Sequence, residues 1–133
     1  ILSIGLLGLA GLQTFSVKFV HQSYQRTQAT LQIYDIIDRM RANGVAVAAG
    51  NYALALPLGS PPPAAPDCEA IACPVPSMAA YDMRQWYMNV TQRAGLSQAN
   101  ASITPAGGSL FDITISWREH DLTFTQSIRA HLP

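Results

Sequence analysis

ILSIGLLGLAGLQTFSVKFVHQSYQRTQATLQIYDIIDRMRANG, residues 1–44, changes character twice without a proline to interrupt it. Its first seventeen residues, Ile1 to Val17, carry no charge. As a helix rising about 1.5 Å per residue this run is about 25 Å long, slightly short of a hydrocarbon core of about 30 Å. Such a run can be a cleavable signal peptide, a membrane anchor or a core helix. A signal peptide ends in a small-residue cleavage site and a change of pattern. Here the first proline is Pro57 and helical spacing simply continues, so the signal-peptide reading loses.

From Lys18 to Gln28 the chain is mostly polar, as if leaving a membrane. Ala29, Ile33, Ile36, Ile37 and Met40 then recur at three- and four-residue steps, which is a stripe for packing on a globular body. Arg39 and Arg41 suit the negative end of the helix dipole, and Asn43-Gly44 is expected to supply a left-handed stop. The sequence therefore predicts one helix from Ile1 to about Asn43, its first half in a membrane. The residues expected to carry membrane insertion and assembly are Ile1, Ile4, Gly5, Leu7, Gly8, Gly11, Leu12 and Phe15. Those expected to dock the helix on a head are Ile33, Ile36, Ile37 and Met40.

The chain has 133 residues, enough for one domain, and the helix leaves a small head over residues 45–133. Cys68 and Cys73 are its only cysteines. No pair of histidines lies near enough in sequence to complete a zinc site, so a disulfide is favoured over two free thiols. It would order a tight loop more than staple the fold. Eight Lys and Arg balance eight Asp and Glu, and only 12% of residues are charged, against about 25% in an average soluble domain. The basic residues are scattered, without the stripe and interleaved aromatics of a nucleic-acid binder.

Residues 45–67 are small, apolar and proline-rich, and read as a long connector; Pro61, Pro62 and Pro63 favour a stiff extended stretch. The alternative, an exposed recognition loop, is less favoured. Ser77 is expected to cap a second, shorter helix, with Met78, Tyr81, Met83 or Arg84, Trp86 and Val90 in rough helical spacing, ending at Gly95. Trp86 is expected in the core. The last third changes period: Phe111, Ile113, Ile115 and Trp117 alternate with Asp112, Thr114, Ser116 and Arg118, a half-buried strand. Leu122, Phe124 and Ile128 repeat the pattern after a two-residue turn at His120-Asp121, and a shorter strand at Ala101–Thr104 precedes them. The prediction is an α+β fold, with an antiparallel meander of at least three strands covered on one face by the long helix. Trp86, Phe111, Ile113, Ile115, Trp117, Leu122, Phe124 and Ile128 are its predicted core.

No enzyme signature stands out. His21, His120 and His131 are far apart in sequence, no Ser-His-Asp or Cys-His arrangement is recognisable, and Glu119 with Asp121 reads as a solvated hairpin end. No catalytic, cofactor-binding or metal-binding residue is assigned, and no cofactor. The sequons at Asn89 and Asn100 match a motif easily met by chance.

Taken in order, ILSIGLLGLAGLQ, QATLQIYDIIDRMRANG, the cysteine pair leading into MAAYDMRQWYMNV, and the strand ending in ISWRE resemble a minor pilin of the type IV pilus system, closest to the PilV-type (pilus modification) group. The resemblance covers nearly the whole chain. It implies a type IV pilin-like fold: a single pilin domain divided into an N-terminal membrane and assembly helix, residues 1–44, and a periplasmic or surface-exposed head. It also implies a prepilin in the bacterial inner membrane, cut and N-methylated by a dedicated peptidase, then packed into a surface filament with its helix in the core. The family's peptidase site, N-terminal Phe and assembly glutamate have no counterpart here, and by that pattern roughly eleven residues would precede Ile1.

The function so implied is structural: initiating, priming or capping the pilus together with other minor pilins and the major pilin, without a small-molecule substrate and without nucleic acid. A pseudopilin of a type II secretion system is the nearest alternative, and a tethered adhesion or DNA-binding head another. Gly5, Gly8 and Gly11 each disfavour a helix by about 1 kcal/mol relative to Ala. Two readings stay open for them: close helix packing in the membrane, or, from the resemblance to pilins, local extension of the helix on entering the filament.

Overall fold

The computed structural model describes residues 2–133. Helix α1 runs Leu2–Ala42, and Ala29, Ile33, Ile36, Ile37 and Met40 are buried along one face. These are the positions at three- and four-residue spacing, so the periodicity of the second half of α1 translates directly into a seam. Each isoleucine removed from water contributes about 1.5–3 kcal/mol.

The chain does not stop at Asn43-Gly44. Asn43 has φ −119° and ψ 52°, and a five-residue helix α2, Gly44–Ala48, follows at once. Ala46 and Val47 are buried, and that burial offsets the turn signal. The first left-handed glycine comes later, at Gly50, φ 73°. The expected connector is therefore partly core: Tyr52 and Leu54 are also buried, and Leu54 forms an isolated antiparallel bridge with Ile103.

Helix α3, Val75–Met88, begins two residues before Ser77. Pro74 is its N-cap and Ser77 makes no cap bond. Proline inside the first turn lacks an N–H that would have been unsatisfied there anyway. A π-helical turn, Asn89–Arg93, extends α3, and Gly95 ends it with φ 70°. The buried stripe is Ala79, Asp82, Met83, Trp86, Tyr87 and Val90, rotated from the expected one, so Met78 and Tyr81 lie at its margin.

Strands β1 (Asn100–Pro105), β2 (Leu110–Glu119) and β3 (Leu122–His131) form an antiparallel sheet in the order β1-β2-β3. His120 turns the β2–β3 hairpin with φ 54°. Phe111, Ile113, Ile115 and Trp117 face the core as predicted, and Trp86 joins them. Leu122 does not: it is 60% exposed at the hairpin tip. Phe124 and Ile128 are half-buried and pack against the core, because β3 is an edge strand with no further strand beyond it among the described residues. Phe124 is held by stacking on its cross-strand partner Trp117 at 5.8 Å. The fold is α+β, a long N-terminal helix with a three-stranded antiparallel sheet and shorter helices.

Candidate functional site

Two features of α1 make it the candidate functional element. Its first half is left uncovered by the head: every residue from Leu2 to His21 is exposed, with Leu2 at 85%, Ile4 at 75% and Leu7 at 74%. Leu12 and Phe15 are exposed as well. Ile1 lies outside the described residues. Burying none of this surface inside the chain leaves an apolar area far larger than isolated surface hydrophobics explain. α1 is long and apolar enough to cross a membrane. Around Gly5, Gly8 and Gly11 there is open space, since a Cβ placed at any of them would meet no atom within 4 Å. No packing among the described residues requires those glycines.

The second feature is the polar lock where the helix enters the head. Gln25 lies on the buried stripe, four residues before Ala29, and is 1% exposed. Trp117 donates its indole N–H to Gln25 Oε1 at 3.3 Å, and Gln25 Nε2 donates to Glu119 Oε1. His21 Nε2 lies 3.5 Å from the same oxygen. The Gln25 hydrogen bond, with His21 second, holds the Glu119 carboxyl below its ordinary value despite partial desolvation. One amide thus satisfies both the buried indole and the acid at the end of β2, and the lock joins α1 to the hairpin tip. Extending the apolar stripe of α1 back by one step of four would have reached Gln25; its polar side chain hid it.

At the far end of the seam Arg39 bridges Asp35, at 3.2 Å, and Asp82 of α3, at 3.3 Å. Tyr52 donates its hydroxyl to the other Asp82 oxygen at 2.5 Å. Burial, and then the hydrogen bond to Asp82, push the Tyr52 phenol well above its ordinary value. Asp82 is only 8% exposed, and both its oxygens are partnered, which makes its burial tolerable. Between the two ends, the Trp86 indole donates to the Gln32 carbonyl at 2.7 Å. Helix α3 is pinned to α1 through that bond and the Arg39–Asp82 pair.

Cys68 and Cys73 are joined in a disulfide that closes the loop before α3. That loop lies on the surface: Tyr81 donates to Glu69, and Arg84 reaches back to the Pro63 carbonyl at 3.0 Å. Among the described residues no group of three or more His, Cys, Asp or Glu side chains is placed to hold a metal ion. His21 and His120 both approach Glu119; sequence separation concealed the proximity of His21.

Comparison of the chain with protein-family models, with curated proteins and with solved structures gave no match in any of the three.

Proposed function

We infer that this chain is a structural subunit of a membrane-anchored filament, a minor pilin of the type IV pilus. The observation that carries the reading is the division of α1: a bare apolar half followed, within one continuous helix, by a half locked into a small α+β head. An apolar helix that its own head leaves uncovered needs either lipid or other helices around it. A subunit that moves from a bilayer into a filament meets both in turn. The polar lock at Gln25 and the pair at Arg39 give the rigid connection that such a subunit needs, so that the position of the head follows that of the helix. The head offers recognition surface rather than chemistry, and the role is non-catalytic: initiating, priming or capping the fibre with other minor pilins.

Deletion of the gene tests the reading. Loss of surface pili, restored by the intact gene, is the expected result. Normal pili with lost secretion of folded enzymes would move the chain to a type II secretion machine. Normal pili with lost adhesion or DNA uptake would make the head a tethered binding module.

A further inference from the structure

The two edges of the sheet are treated differently by the chain. On the β1 side, Leu54 N–H donates to the Ile103 carbonyl at 3.0 Å and Ile103 N–H to the Leu54 carbonyl at 2.8 Å. The edge is thus covered by the protein itself at its centre. On the β3 side no such element exists among the described residues.

The register fixes which backbone groups of β3 are left. Ala106 N–H donates to the Leu110 carbonyl, so Leu110 points its backbone groups toward β1. Alternation then points Phe111, Ile113, Ile115 and Trp117 toward β3. Their partners are Ala130, Ile128, Gln126 and Phe124. Pro105 opposite Phe111 agrees with this phase, since proline has no N–H to give. The intervening residues of β3, Thr123, Thr125, Ser127 and Arg129, therefore direct N–H and C=O outward, and no hydrogen bond from the described residues reaches them.

Proteins that keep such an edge private blunt it with lysine, proline, a bulge or short length. β3 is ten residues long, pairs with β2 without interruption and contains neither lysine nor proline. Its single arginine, Arg129, is already held by Asp112 at 2.7 Å. A row of unpaired amides of this length is complementary to one thing, an extended backbone.

We propose that the β3 edge of the head is a docking site for an extended segment of another protein, which adds to the sheet as a fourth strand. The occupant alternates apolar and small polar residues. Its polar side chains continue the wet row of Thr123, Thr125 and Ser127. Its apolar ones continue the dry row of Phe124 and Ile128, which are left half-buried for lack of a neighbour. One apolar side chain fits the cavity of about 280 Å³ where Leu122 and Phe124 face Lys18, His21 and Gln22.

Orientation argues for a different chain over a second copy, a choice that rests on α1 being a membrane anchor. Glu119 meets Gln25, and the end of the chain at Pro133 lies beside Gly44. β3 therefore runs in the same sense as α1, away from the bare half. Copies anchored in one bilayer point their β3 strands the same way, which leaves them only the less stable parallel pairing. A segment of another chain is free to run back toward the membrane and pair antiparallel.

The test uses the full chain in phosphatidylglycerol-containing nanodiscs, with a ten-residue peptide of alternating valine and threonine, lysine-capped for solubility, as the probe. Amide exchange is read residue by residue. Saturating peptide is expected to slow exchange about tenfold at Thr123, Thr125, Ser127 and Arg129, leaving the already protected Phe124, Gln126 and Ile128 unchanged. Thr125→Pro removes one outward donor while sparing the β2–β3 ladder, and is expected to abolish the slowing with near-ultraviolet circular dichroism intact. Should that variant unfold, Thr125→Lys with Ser127→Lys serves the same purpose. Absence of the alternating pattern overturns the proposal. Slowing without peptide that grows with protein concentration also overturns it, by assigning the edge to a second copy. Both readouts are independent of pilus counts, so the edge stands or falls separately from the pilus reading.

Discussion

Residues 2–20 and residues 21–42 belong to one uninterrupted helix, but the head buries a face of the second stretch and nothing of the first. Both contain many aliphatic side chains. In residues 2–20 they surround the helix, so no single face can dock on a globular body and leave the rest in water. In residues 21–42 all the large ones but the exposed Leu31 fall on one stripe, with Asp35, Asp38, Arg39 and Arg41 beside or opposite it, and the stripe finds the sheet and α3. Distribution around the helix, rather than apolar content, decides whether a helix belongs to its own domain or to its surroundings.

The largest test of that contrast pairs Ile36→Ala with Ile4→Ala. Ile36 is fully buried, so its truncation should lower head stability by about 2–5 kcal/mol in denaturant unfolding followed by tryptophan emission. Ile4→Ala should shift the same transition by less than about 0.5 kcal/mol. Equal losses would mean that the first half of α1 is also packed on the head.

Tyr52→Phe comes next. It removes the hydroxyl donor from buried Asp82 and leaves Arg39 as the remaining partner, with an expected loss of about 2 kcal/mol. A neutral outcome would mean that Asp82 is satisfied by Arg39 alone.

Gln25→Ala unlocks the near end of the seam and should cost about 1–2 kcal/mol, since the buried Trp117 indole loses its acceptor. It also has a signature in pH. The Glu119 carboxyl is held below its ordinary value of 4.5 in the folded protein. Its contribution to stability is therefore present above that value and lost as pH falls through the lower folded one. Unfolding midpoints recorded from pH 6 to pH 3 should fall less steeply in Gln25→Ala than in the native chain. An unchanged slope would remove Gln25 as the cause.

The smallest effect belongs to Leu122→Ser. Because Leu122 stands exposed at the hairpin tip, stability should change by less than about 0.5 kcal/mol. A larger loss would return it to the core where the sequence pattern had placed it.

Leu122 also illustrates what periodicity misses. Alternation assigns a side chain to one face of a sheet, and the face is right here: its partner Glu119 and its neighbour Phe124 follow the expected register. It does not say how far the covering layer extends, and β3 is an edge. Asn43-Gly44 fails for a related reason. The turn chemistry is local, whereas the continuation into α2 is held by Ala46 and Val47 packing on distant residues. Gln25, Tyr52 and Asp82 were invisible because a polar side chain on a buried stripe is stabilised only by a partner far away in sequence: 92 residues for Gln25 and Trp117, 30 for Tyr52 and Asp82.

Residue order alone is enough to specify the long helix, its division into an apolar half and a striped half, the β2–β3 hairpin with its two-residue turn, and most of the core. These follow from periodicity and local backbone preference, which are properties of neighbouring residues. Tertiary structure alone decided the polar locks at Gln25 and Asp82, the burial of the connector at Tyr52 and Leu54, and the covering of one sheet edge while the other stays open. Each of these depends on where distant segments meet, and on hydrogen bonds whose worth arises only when burial has removed water from both partners.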